Sequence, residues 1–270
     1  MTLAVPDHFK SILNERLSVQ PWMDAQLSRL PGVKPLGDTS WLIRDAVFEQ
    51  QMAYRDYLLE THRACVFQTL AGHEDVFEEV RDIVIADCGF GLHGSDISRP
   101  DGIHINKDAD HPLVIAGRLT QLDLCVLADI EGIYRVIGAV LCFPSSWTLS
   151  QKIGRSLGDI HSPVDEYNAA IDKSVNRMLR AVTVNRPLWR ANNLIYTDPD
   201  LHQPRPEGVA KPIHPTAPRF VRVERQSFVR LPKTGAVIFG IHTSIVPAQT
   251  LTKESHSALA AIKPNVKPKP

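Results

Sequence analysis

Apolar positions along this chain follow two rhythms, and the change between them divides it. From Asp45 to His62, Phe48, Met52 and Leu59 form one row with Val47, Tyr54 and Leu58 beside it, which predicts a helix. A second helix is predicted from Glu74 to Ala86, with Val76, Phe77, Val80, Ile83 and Val84 inward and Gly89 ending it. A short helix, His111 to Gln121, follows. The rhythm then shortens. Leu122–Ala128 and Tyr134–Phe143 read as strands joined by a turn at Glu131-Gly132. Helical spacing returns in Val164, Tyr167, Ile171, Val175, Met178, Leu179 and Val182. Three more strands are predicted at Leu188–Thr197, Phe220–Leu231 and Ala236–Ile245, the last two around the turn Pro232-Lys233-Thr234-Gly235.

This is an α+β pattern. Two strands, a helical crossover and three strands is the order of a PAS-like domain, in which a five-stranded antiparallel sheet curves around central helices and encloses a ligand. Residues 1–120 are expected to form an N-terminal arm and helical extension packed on that core, residues 121–250 the core, and residues 251–270 a flexible C-terminal tail. Within the arm, Pro21, Pro31 and Pro35 break any long helix, and Trp22, Leu27, Leu30, Val33 and Leu36 can drape over the core. Gly89 to Asp110 reads as a mobile surface loop, and proline-rich Asp198 to Arg219 as a long connection.

Composition narrows the function. A 270-residue chain with 43% hydrophobic residues can bury a full core. Lys plus Arg and Asp plus Glu number 30 each, so no net charge draws it to nucleic acid or an acidic membrane. Its longest apolar runs are strand-length, and Met1–Lys10 lacks a basic-then-apolar leader pattern. Cys65, Cys88, Cys125 and Cys142 form no Cys-x-x-Cys pair, which argues against a cluster or structural zinc on this chain. They read as free thiols of a reducing compartment, with cytoplasm the expectation. Gly89-Phe90-Gly91-Leu92-His93-Gly94 fits a dinucleotide fingerprint nominally, but has neither the strand before it nor the helix after it.

Two residues stand out as candidate chemistry. His161 precedes Ser162-Pro163-Val164-Asp165, where Ser162 can cap a helix, Pro163 suits its first position and Asp165 can close a capping box. The positive end of that helix would keep the imidazole neutral, with a lone pair free for a metal; alternatively His161 caps or packs against the helix end. In Phe220–Leu231, alternation sets Arg225 in line with Val221, Val223, Val229 and Leu231. A guanidinium there needs either a protein carboxylate or a ligand carboxylate.

Several segments in order resemble one family. Among them are Gln50-Gln51-Met52-Ala53-Tyr54-Arg55, Cys142-Phe143-Pro144-Ser145-Ser146-Trp147 and Ile160-His161-Ser162-Pro163-Val164. Pro187-Leu188-Trp189-Arg190-Ala191-Asn192 and Arg222-Val223-Glu224-Arg225-Gln226 are two more. Together they resemble the heme-dependent oxidative N-demethylase α-subunit-like family over roughly residues 20 to 250. The resemblance implies a PAS-like core binding heme b and O₂-dependent oxidation of the N-methyl group of a small, dimethylamine-like secondary amine. The products are the demethylated amine and formaldehyde. NADPH, FMN and a [2Fe–2S] centre are implied on electron-transfer partner subunits.

On this resemblance His161 is the heme axial ligand, and Arg225 and Gln226 are candidates for the propionates; their side chains leave opposite faces of the strand, and Arg225 is the preferred one. Arg190, Lys152 and Arg155 are weaker propionate candidates, because basic residues near helix ends are usually solvated. Asp159, Glu224 and Tyr134 are candidates to recognise the amine. Where the family usually continues Phe-Thr-Ile-Arg-Thr-Tyr, this chain has Phe239-Gly240-Ile241-His242-Thr243-Ser244, and Asn193 stands where Trp is common. His242 is therefore a candidate catalytic residue as a distal donor to O₂, a rival axial ligand, or a solvent-facing strand residue. The alternative functions are a heme-binding sensor or redox module without turnover, and an interaction module that has lost heme.

Overall fold

The computed structural model describes residues 5–28, 32–161, 169–209, 214 and 216–262, with backbone alone for 161 and 169–172. In chain order the elements are β1 (Lys34–Pro35), α1 (Phe48–Thr61), α2 (Arg63–Val66), β2 (Phe67–Thr69), α3 (Glu74–Asp87), β3 (Gly91–His93), β4 (Asp96–Ser98) and β5 (His104–Asn106). Then come α4 (Pro112–Gly117), β6 (Asp123–Ile130), β7 (Ile133–Val140), α5 (Leu157–His161), α6 (Ala169–Ala181), β8 (Leu188–Tyr196), β9 (Phe220–Arg230), β10 (Val237–Pro247) and α7 (Lys253–Ile262).

The main sheet has seven strands in the order β1-β8-β9-β10-β6-β7-β2, and its pairings are antiparallel. Five were expected; all five form. The two additions come from the N-terminal third. Lys34–Pro35 pairs with β8 and Phe67–Thr69 with β7, so short extended segments cover edges that would otherwise offer unpaired amides. The boundary expected at residue 120 is thus crossed by the sheet itself. The β6–β7 turn forms as expected: Glu131 and Gly132 both take positive φ, 55° and 84°, which matches the twist of a two-residue hairpin.

Two more expectations are corrected. Gly89–Asp110 is a three-stranded sheet, β3-β4-β5, rather than a loop. Its buried Ile97 and Ile105 face the core, and Arg99 bonds Asp101, Asp56 and the Arg118 carbonyl, giving so small a sheet an anchor. The tail expected to be flexible carries α7, whose buried Leu259 meets Trp22. Trp22 Nε1 also donates to the Ser255 carbonyl at 3.1 Å. Burying an aromatic ring and a leucine this way contributes about 1.5–3 kcal/mol each, enough to order a short helix.

The sheet's faces take different partners. Alternation and register send Arg190, Asn192, Glu224, Gln226, Phe228, Phe239 and Cys125 to one face. There, Phe228 and Phe239 pack with Leu157 and Ile160 of α5 and Val175 and Met178 of α6. We call this the α6 face. Trp189, Ala191, Val223, Arg225, Gly240 and His242 point the other way, toward Trp22, α7 and the N-terminal elements. This α7 face is tightly packed at its β7 end: a Cβ on Gly138 would come within 2.5 Å of the Phe77 ring on α3.

Candidate functional site

On the α6 face, register places Arg190 opposite Gln226 and Asn192 opposite Glu224. Cross-strand partners share a face at short range, so these four polar side chains form one patch. Its support is Arg222, two residues before Glu224 and fully buried. Arg222 donates through Nη1 to the Leu201 carbonyl (2.9 Å), and through Nη2 to the Phe143 carbonyl and the Thr243 hydroxyl. Its Nε reaches Glu224 Oε1 at 3.2 Å. Gln226 Nε2 lies 3.4 Å from the other Glu224 oxygen. The carboxylate is therefore buried, oriented and charge-compensated.

Arg190 is not treated so well. It makes no hydrogen bond or ion pair with a described residue, and its Nε is buried without a partner. Burial pushes its pKa down, opposed by the Glu224 charge. Asn192 Oδ1 and Thr148 Oγ1 are likewise buried and unbonded. Leaving such a group unsatisfied costs about 1–3 kcal/mol. Arg55 Nε, His202 Nε2 and His242 Nε2 are unbonded among the described residues elsewhere, while Arg190 Nε and Asn192 Oδ1 share this face. Beside them lies an apolar floor, where the Phe228 and Phe239 rings stack at 5.1 Å and the buried Cys125 adjoins Phe239, Trp147 and Leu149. Burial raises the Cys125 thiol, so it stays protonated. A flat apolar body carrying acidic groups matches this combination.

The helices over this face are positioned by interactions the sequence reading missed. Ser156 and Asp159 form a capping box at the start of α5: the Asp159 amide donates to Ser156 Oγ (3.1 Å), and the Ser156 amide and hydroxyl donate to Asp159 Oδ2. Lys152, expected to be solvated, is buried; it donates to the Ile160 carbonyl at 2.9 Å and pairs with Glu207. Arg230 holds the end of α6 by donating to the carbonyls of Leu179 and Val182.

His161 is the last described residue of α5, a helix capped by Ser156. Its side chain and the expected cap at Ser162, Pro163 and Asp165 lie outside the described residues. The backbone nonetheless sets His161 directly after Ile160, which packs with Phe228 and Phe239.

The other candidates are not brought to this patch. His242 stands opposite Arg225 across β9 and β10, on the α7 face. It is 2% exposed, which overturns the solvent-facing reading. Its Nε2 is 3.4 Å from Asp45 Oδ2 without forming a hydrogen bond, and that oxygen accepts from Asn14 at 2.7 Å. Burial holds the His242 pKa down to about 4, with Asp45 opposing and Arg225 and Arg55 adding to the depression. Arg225 has neither of the expected carboxylates among the described residues; its guanidinium lies over the Trp189 ring at 4.8 Å. One ligand cannot touch Arg225 and Gln226 from the same side of the sheet. The family departures cluster as well: Asn193, His242 and Ser244 share the α7 face, away from the patch.

Glu224, Gln226 and Arg190 were legible as candidates, but Arg222, Asn192 and Thr148 were not. Alternation already put Arg222 beside Glu224; only the packing shows that it is buried and holds the carboxylate. The family model described as haem-dependent oxidative N-demethylase, alpha subunit-like, matches residues 94–268, which include β6–β10 and the whole patch. The chain belongs to the haem-dependent oxidative N-demethylase alpha-subunit-like family.

Proposed function

We propose that this chain is the haem-binding subunit of an oxidative N-demethylase that acts on a small secondary amine. The observation that carries this reading is the pair of buried atoms on the α6 face without a partner among the described residues, Arg190 Nε and Asn192 Oδ1, on the same face as stacked Phe228 and Phe239. The five central strands, with α5 and α6 inserted between the second and third in chain order, support a PAS-like core for it.

The residues present fit haem b. Arg190 supplies a guanidinium without a hydrogen-bonded partner among the described residues for a propionate, and Gln226 a second donor. Phe228 and Phe239 offer an apolar surface for the macrocycle. His161, at the end of α5, is the proposed axial ligand. Bound haem supplies O₂-dependent hydroxylation of an N-methyl carbon, after which the carbinolamine releases formaldehyde and the shortened amine. Glu224 binds the protonated amine through a charge-assisted hydrogen bond, held in place by Arg222. The packed α5–α6 layer excludes water from the reacting carbon. Arg225 and His242, on the opposite face, have no part in this site; they serve packing there. Electrons come from NADPH through FMN and a [2Fe–2S] centre on partner subunits, and the complex works in the cytoplasm.

Absorption spectra after expression with haem precursor test the proposal. A Soret band that shifts with dithionite and CO, together with amine-dependent O₂ uptake and formaldehyde release, is expected. His161→Ala should lose the band, and Glu224→Gln should keep it while losing the amine-induced shift. A Soret band without amine-dependent turnover would leave a haem module and remove the enzyme; no band after reconstitution would remove both.

A further inference from the structure

The outer side of α6 carries a second feature that the proposed site does not use. A cleft of about 480 Å³ lies between the β6–β7 turn, the start of α5 and α6. Lys173, Arg177 and Arg180 line it, four and three residues apart, so they share one helix face. The backbones of Gly132 and Gly158 let the chain approach closely, and Ile133 lines the cleft while 45% exposed. No carboxylate is among the lining residues. The neighbouring Asp159 is occupied by its capping box with Ser156. Lys173 and Arg177 are exposed and form no ion pair with a described residue, whereas Arg180 donates to the Gly132 carbonyl at 2.7 Å and braces the cleft.

An exposed isoleucine beside three cations that form no ion pair with a described residue is the reverse of ordinary surface design, in which like charges are interspersed with opposite ones. It matches the anatomy of a protein interface: a small apolar centre and a charged rim that steers a partner of opposite sign. The opposite side of the same helix, Val175 and Met178, packs against Phe228 and Phe239. The cleft is therefore separated from the proposed haem face by one helix, about 10 Å.

We infer that this cleft is the docking site for an acidic electron-transfer protein, a small iron–sulfur or flavin carrier that delivers the two electrons required per O₂. The inference rests on the proposed function for the direction of electron flow, but the docking itself does not. Electron entry here uses α6 as the wall between donor and acceptor, and leaves the amine's approach to the patch unobstructed.

The test uses the full chain and an acidic plant-type ferredoxin as probe. Binding is measured by titration calorimetry at low and high salt, and ferredoxin-driven haem reduction by stopped flow, with dithionite as the reductant that needs no docking. In the double variant Lys173→Glu/Arg177→Glu, ferredoxin affinity should fall by about tenfold or more at low salt and lose most of its salt dependence. Dithionite reduction and the Soret band should be unchanged. Lys253→Glu, an exposed charge change on α7, should bind like the unmodified protein. Three results overturn the inference: no salt-sensitive binding by the unmodified chain, equal binding by the double variant, or an equal loss in Lys253→Glu. Salt-sensitive binding through the cleft by a chain that takes up no haem would keep the docking site and remove the proposed function. A normal haem spectrum and amine response without cleft-dependent binding would do the reverse.

Discussion

Arg55 and Arg190 show how differently two parts of this molecule handle a cation withdrawn from water. Arg55 on α1 is fully buried, yet Nη1 donates to Asp123 at 3.0 Å and Nη2 to the Gln121 carbonyl at 2.8 Å, with Phe143 under the guanidinium. Asp123 in turn accepts from the amides of Cys142 and Phe143. Gln121 ties the same region to Asp45 and Gln51. Around α1, Arg55 thus has an ion pair and a carbonyl acceptor, although its Nε is without a partner among the described residues. On the α6 face Arg190 has no ion pair or hydrogen bond with a described residue, and Asn192 Oδ1 on the same strand is also unbonded among them. The difference lies in the ion pair: Arg55 is paired with a buried carboxylate, and Arg190 with none among the described residues.

Mutations should separate the two regions. The largest effect is expected from Asp123→Ala, which strands Arg55 and two amides: a loss of about 3–5 kcal/mol in urea unfolding, or no soluble protein. Next is acid sensitivity at His242. Its folded pKa, held down to about 4, lies below the ordinary 6.5, so the unfolded chain binds the proton first as pH falls. Its neutral form costs no stability above pH 6.5; between 6.5 and about 4 stability is lost, reaching about 3 kcal/mol. His242→Gln should flatten that part of the stability–pH curve, measured by denaturant midpoints, and leave haem content untouched. Haem loss from His242→Gln would put the site on the wrong face.

Arg190→Leu should behave in the opposite way to Asp123→Ala. Removing a desolvated, unpaired cation should leave the apoprotein's unfolding midpoint unchanged or slightly raised, while haem affinity falls about tenfold, or ~1.4 kcal/mol, by apomyoglobin competition. A stability loss as large as that of Asp123→Ala would show that Arg190 is structural after all. The smallest effect belongs to Arg225→Leu, which removes a cation–π contact with Trp189 worth about 0.5–1 kcal/mol and should not change the haem spectrum.

How much of this was legible beforehand depends on the distance over which each feature is decided. Helices α1 and α3, all five central strands and the Glu131-Gly132 turn could be read from the sequence because periodicity and positive-φ preference act within a few residues. The strands of Gly89–Asp110 were missed because each is only three residues long, too short for alternation to show. Helix α7 was missed because the Lys-Pro repeats that follow it in the sequence made the whole segment read as tail, while what orders it, Trp22, lies far away in the chain. The start of α5 was available in Ser156-Leu157-Gly158-Asp159, a local capping box; the cap expected at Ser162 lies outside the described residues.

By itself the sequence determined the family motifs, the α+β pattern and the alternation that separates Arg225 from Gln226. Those are one-dimensional properties: spacing along a strand decides which side chains share a face, whatever the rest of the molecule does. Only the tertiary structure decided which of those faces carries the candidate site. The register of β8, β9 and β10 aligned Arg190 with Gln226 and Asn192 with Glu224, and burial left Arg190 Nε without a partner among the described residues. Burial and the absence of a partner are relations among distant residues, so no local pattern could have contained them.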